Sequence, residues 1–89
     1  MGSKNQANSK FIEFKKGLLT RCEELLSKRY KLYKCFYRSE IKDIVSEVSR
    51  TLEGNRVFDL YCKDQATEED WTRLADLSAY RLYNWYYQD

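Results

Sequence analysis

The sequence predicts an all-α fold, a compact bundle of three main helices at about 10–30, 40–53 and 68–87, and three observations carry that prediction. The 89-residue chain has no proline and only three glycines, Gly2, Gly17 and Gly54, so it lacks the breakers that an all-β domain places at its turns. Its apolar residues recur near the helical period of about 3.6. Each periodic stretch is preceded by a residue suited to capping a helix: Ser9, Ser39 and Thr67.

Residues 1–9 are polar, with two Asn, two Ser and a Gln, and have nothing to bury. They are expected to form a flexible N-terminal segment ahead of a single helical domain over 10–89. From Ser9 onward, Phe11, Phe14, Leu18, Cys22 and Leu25 fall on one face, and Ile12, Leu19, Leu26 and Tyr30 form an adjoining stripe. So wide an apolar arc calls for two neighbours. Arg29 would sit at the centre of the stripe if the helix continued, yet Leu32, Tyr33 and Phe36 return to the same face beyond it. Either the helix bends there or Arg29 finds a partner.

Ser39 then caps a stretch in which Ile41, Ile44, Val45, Val48 and Leu52 span an arc of about 100°. Gly54 is expected just past the end of this helix, as the residue that closes it. Val57, Phe58, Leu60 and Tyr61 fit either a short helix near 57–62 or a buried extended segment, and the helix is preferred. Thr67 with Asp70 three residues on resembles a capping box, and Glu68, Glu69 and Asp70 suit the positive end of a helix. Beyond it Trp71, Leu74, Ala75, Ser78, Leu82, Trp85 and Tyr86 hold one face over about four turns, which predicts a single last helix.

The net charge of +2 hides an asymmetry, because residues 1–50 carry +6 and residues 51–89 carry −4. Such halves can pack on each other, or the first can offer a basic face to an acidic partner. Cys22, Cys35 and Cys62 are odd in number, form no CxxC pair and have no histidine to complete a zinc set. They suggest a reducing compartment, cytoplasmic or nuclear, with Cys22 as a small buried hydrophobe. No apolar run approaches the length of a bilayer span, so membrane insertion is not expected. Met1-Gly2-Ser3 resembles the opening of a myristoylation signal, but Gln6 stands where that signal needs Ser or Thr.

An enzyme is not expected. The chain has no histidine to activate a cysteine or act as general base, and no GxxxxGK[ST] or GxGxxG loop to cradle phosphate. Glu23-Glu24 and Glu68-Glu69-Asp70 are adjacent on predicted helices and diverge, so only carboxylates brought together from distant positions would make an acid–base pair. No catalytic, cofactor-binding or metal-ligating residue is assigned.

Two stretches are candidates for binding. In residues 28–38, Lys28, Arg29, Lys31, Lys34 and Arg38 alternate with Tyr30, Tyr33, Phe36 and Tyr37, a composition suited to phosphate contacts beside base stacking. The competing reading puts Tyr33 and Phe36 in the core, with the basic residues as a solvated rim of the same helix. An acidic second half also weakens polyanion binding overall. In the last helix, Tyr80, Tyr83 and Tyr87 lie about 180°, 120° and 160° from Trp71, off the apolar stripe. They form a tyrosine ridge of the kind enriched at interfaces, unless a small bundle wraps this helix on two sides and buries it.

The stretch from Leu74 to Gln88 resembles the end of a homeodomain, where a Leu-Ser/Thr turn leads into a recognition helix carrying a Trp-Phe pair, matched here by Trp85-Tyr86. Gln88 stands in place of that family's adenine-reading asparagine, and residues 68–89 carry two positive against five negative charges. The resemblance therefore implies no DNA reader of that kind. The leading functional expectation is a small non-enzymatic protein–protein interaction module, adaptor or regulatory, using Tyr80, Tyr83 and Tyr87. The alternative is a nucleic-acid-binding module using residues 28–38. A protein partner is expected, self-association is compatible with either reading, and no cofactor is called for.

Overall fold

A computed structural model describes the backbone of residues 2–87 and the side chains of residues 9–87. These residues form α1 (Gly2–Lys28), a 3₁₀ turn (Tyr33–Cys35), α2 (Arg38–Ser49), α3 (Leu52–Cys62) and α4 (Glu68–Tyr86), with no strand among them. The all-α bundle is what forms, and a fourth full helix replaces the short one expected near 57–62. α1 begins ahead of Ser9, which lies within the helix and does not cap it. The flexibility expected of residues 1–9 concerns Met1 and side chains outside the described residues, as Gln88 also is.

Ion pairs give the directions of the helices. Arg21 meets Glu68 and Arg29 meets Asp76, so α1 and α4 run the same way. Glu23 faces Arg38, while residues 12–19 line a groove with residues 42–46, so α2 runs back along α1. The core is built from Phe14, Leu18, Cys22 and Leu26 of α1, Ile41, Val45 and Val48 of α2, Val57 of α3, and Leu74, Ala75, Ala79 and Leu82 of α4. α3 closes one end with rings: Phe58 lies 5.2 Å from Phe14, Tyr61 lies 5.5 Å from Trp71, and Phe14 itself lies 5.1 Å from Trp71. The wide arc of α1 is thus covered by α2 on one side and by α3 and α4 on the other.

The junctions correct the sequence reading in three places. α1 ends at Lys28, and Lys31 takes the left-handed conformation (φ 56°), which lets the Leu32 N–H reach the Leu26 carbonyl at 2.8 Å. The chain bends and Arg29 also finds a partner in Asp76 at 3.1 Å, so both outcomes anticipated at that position occur. The cap of α2 is Tyr37, whose N–H donates to the Glu40 carboxylate at 2.9 Å, and Ser39 lies inside the first turn.

The third correction is Gly54, which does not close α2. That helix stops at Ser49, Thr51 caps α3 by accepting the Gly54 N–H at 3.1 Å, and Gly54 sits in the first turn of α3. A Cβ on Gly54 would lie 2.2 Å from the Val48 carbonyl oxygen, so glycine is needed for close approach of two helix ends and not for a positive φ. Leu52, placed on the apolar stripe of α2 by its period, is instead the exposed first residue of α3. α3 ends in a Schellman motif: Asp64 is left-handed (φ 57°) and the Gln65 N–H donates to Leu60 at 2.7 Å. The expected capping box of α4 forms, with Thr67 accepting from the Asp70 N–H at 3.2 Å and Asp70 accepting from the Thr67 N–H at 3.1 Å.

Candidate functional site

α4 outruns α1 at its C-terminal end, since Arg29, one residue past α1, is level with Asp76, while α4 continues to Tyr86. α1 stops at Lys28, and the turn behind it reaches α4 through Tyr30, whose ring lies 5.2 Å from Tyr83 and whose hydroxyl donates to Asp76 at 3.0 Å. Past Tyr83 the turn supplies Phe36, 5.9 Å from Tyr86. Aromatic side chains on the last turns of α4 are therefore left facing solvent.

The three tyrosines singled out from the sequence lie together on this open surface. Tyr80 is 51%, Tyr83 36% and Tyr87 61% exposed. Their rings form one row, with centroids 6.2 Å apart from Tyr80 to Tyr83 and 4.9 Å from Tyr83 to Tyr87. Tyr86 continues it, 5.0 Å from Tyr87. Trp85 and Tyr86, assigned to the core face by their period, are exposed as well. The sequence carries no signal for this, because their exposure depends on where α1 stops beside α4.

Such a row offers large, stiff contact area with polar tips. Burial, then the hydrogen bond to Asp76, raises the pKa of Tyr30, while the neighbouring Cys35 thiol raises that of Tyr86. Both phenols stay protonated at neutral pH, and Tyr30 spends its proton on Asp76.

Lys28 ends α1 and Arg38 begins α2, with a turn and one 3₁₀ element between them, so the basic residues do not share a helix face. Lys28 pairs with Glu24 at 3.5 Å, Arg29 with Asp76 at 3.1 Å and Arg38 with Glu23 at 3.6 Å. Lys31 and Lys34 have no ion pair among the described residues. Of the aromatics between them, Leu32's neighbour Tyr33 is exposed, Tyr37 is exposed, and Tyr30 and Phe36 are half-buried. Three of the five basic residues thus already meet carboxylates, in pairs on the surface of the fold.

Elsewhere the ionisable groups serve the structure. Asp70 is held below the usual carboxylate range by the Thr67 N–H and hydroxyl and then by Arg56, which lies 3.3 Å away. Burial pushes the Cys22 thiol up to about 12, while Cys35 and Cys62 are exposed and unpaired. Among the described residues no three or more His, Cys, Asp or Glu side chains gather as a metal site would require. No described helix is long and apolar enough to cross a membrane. No protein-family model matches the chain, and no curated protein or solved structure is significantly similar to it.

Proposed function

We propose that the protein is a small non-enzymatic interaction module that docks a protein partner on the aromatic end of α4. The observation that carries this reading is the row of Tyr80, Tyr83 and Tyr87, half open to solvent, with Tyr86 beside it, on a stretch of α4 that lies past the end of α1. Exposed aromatics concentrated in one place are the composition of an interface centre. The alternative on residues 28–38 has less support, because Lys28, Arg29 and Arg38 already meet carboxylates. Three unpaired thiols, two of them exposed, support a reducing compartment, cytoplasmic or nuclear.

The test is quantitative capture from an extract of the source cells, with and without nuclease, comparing wild type with Tyr80→Ala/Tyr87→Ala. The double variant should keep the wild-type denaturation midpoint and lose its protein partner by about 30-fold or more in affinity, the scale of an interface hot spot. An unchanged partner set, or a heavy loss of stability with affinity intact in the folded fraction, would return the tyrosines to a structural role. Retention that vanishes with nuclease would favour the nucleic-acid reading.

A further inference from the structure

The two flanks of α2 carry opposite charge, and each borders a groove with apolar lining. On one side, α1 and α2 enclose a groove of about 230 Å³, lined by Ile12, Leu19 and Val45 and rimmed by Lys15, Lys16 and Lys42. No carboxylate lines it, and none of the three lysines has an ion pair among the described residues, unlike Lys28, Arg29 and Arg38. Ile12 is exposed at its edge, although the sequence pattern placed it in the apolar stripe.

On the other side, a groove of about 350 Å³ between α2 and α4 is lined by Glu40, Asp43, Ile44, Glu47, Arg81 and Trp85. Glu47 meets Arg81 at 3.7 Å, whereas Asp43 has no ion pair among the described residues, so this flank keeps a net negative charge. The Trp85 indole is 63% exposed.

We propose that these flanks are the two halves of a contact between copies of this chain, in which the acidic flank and Trp85 of one copy seat in the lysine-rimmed groove of a second copy. At about 100° per residue, Lys42 and Ser46 project to one side of the buried Ile41, Val45 and Val48, and Glu40, Asp43 and Glu47 to the other. One copy cannot close the contact on itself, and because each copy carries both halves the contact joins copies either reciprocally in a two-fold dimer or head to tail. The occupant is indicated by the chemistry of both surfaces. Lysine stems and an apolar floor suit an indole, their ammonium groups suit its ring face and the carboxylates beside it, and both complements are present on this chain. A polyanion would use the lysines but leave the apolar floor and Trp85 without a role. This surface is separate from the tyrosine row, since Trp85 lies about 320° round α4 from Trp71, against about 120–180° for Tyr80, Tyr83 and Tyr87.

Sedimentation equilibrium on the full chain, from about 10 μM to about 1 mM, provides the test. Wild-type mass should rise with concentration above the 10.8 kDa of one chain, and fall back when salt increases from about 0.1 M to about 1 M, as the screening length drops from about 10 to about 3 Å. Lys16→Glu/Lys42→Glu and Asp43→Lys/Trp85→Ala alter only exposed side chains, and each should weaken self-association by about 30-fold or more. Mixed in equal amounts, these two variants retain one intact contact between them and should stop at a dimer. Circular dichroism checks folding, and Lys16→Gln/Lys42→Gln with Asp43→Asn/Trp85→Ala replace any charge reversal that unfolds. A wild-type chain that stays monomeric, or a variant mixture that stays monomeric, would overturn the proposal. Association that survives in the flank variants but is lost in Tyr80→Ala/Tyr87→Ala would overturn it too, and would move the contact to the tyrosine row.

Discussion

Trp71 and Trp85 stand on the same helix, within about 40° of the same direction, yet one is 8% and the other 63% exposed. Trp71 packs on Phe14 at 5.1 Å and Tyr61 at 5.5 Å, under the Arg21 guanidinium at 4.3 Å. Trp85 lies past the point where α1 has ended, on the rim of a groove. A helical period tells where a side chain points, whereas burial also needs a neighbour alongside. The start of α4 is packed between α1 and α3, whereas past the end of α1 it keeps an aromatic surface free.

The largest expected effect follows from this contrast. Trp71→Ala should cost about 3–5 kcal/mol by leaving a cavity among packed rings, while Trp85→Ala should stay within about 0.5 kcal/mol of wild type. Chemical denaturation measures both, and equal losses would break the comparison. Leu18→Ala, in the core beside the covered half, should cost about 2–5 kcal/mol by the same assay.

Next come the two internal glycines. Gly54→Ala forces a Cβ against the Val48 and Ser49 backbone, where no side chain can yield, and should cost about 1–3 kcal/mol or more. In Gly17→Ala the contact is the Trp71 ring edge at 3.3 Å, and the helix-propensity gain of about 1 kcal/mol offsets the crowding, so the net change should be small. Thermal melts of both variants sharpen the picture of how tightly the covered end is packed.

Thr67→Ala should cost about 1 kcal/mol by removing the cap of α4. Its partner Asp70 has a lowered folded-state pKa. Its stabilising contribution is therefore complete above the ordinary carboxylate range and disappears as pH falls through the folded value. Wild type should lose stability on acidification below about pH 4 more steeply than Asp70→Asn, as read from denaturation midpoints across a pH series. The smallest effect on stability should be that of Tyr87→Ala, which removes a side chain from the open end and belongs within about 0.5 kcal/mol of wild type.

Much of the fold was legible because it is written in local terms. The periods of α1, α2 and α4, and the Thr67–Asp70 box, concern residues a few positions apart. Gly54 was misread because the sequence marks a corner without saying which helix end owns it, and the 2.2 Å approach that demands glycine exists only once α2 and α3 have packed. The end of α1 was misplaced because Lys31, with no special claim to a left-handed conformation, adopts one so that Leu32 can enter the core. The tyrosine row was visible as an angular offset on one helix. Trp85 and the lysines of the α1–α2 groove were not, since exposure of the first depends on where α1 stops and the second joins residues some 26 positions apart, Lys16 and Lys42.

The contrast between the two ends of α4 is most directly read from the tryptophans themselves. In Trp85→Phe the remaining Trp71 should emit at short wavelength and resist quenching by acrylamide, whereas the wild-type protein should show an added long-wavelength component that acrylamide quenches readily. If removing Trp85 leaves the quenching and emission of the protein unchanged in dilute monomeric solution, the end of α4 is covered and the account of an open aromatic surface is wrong.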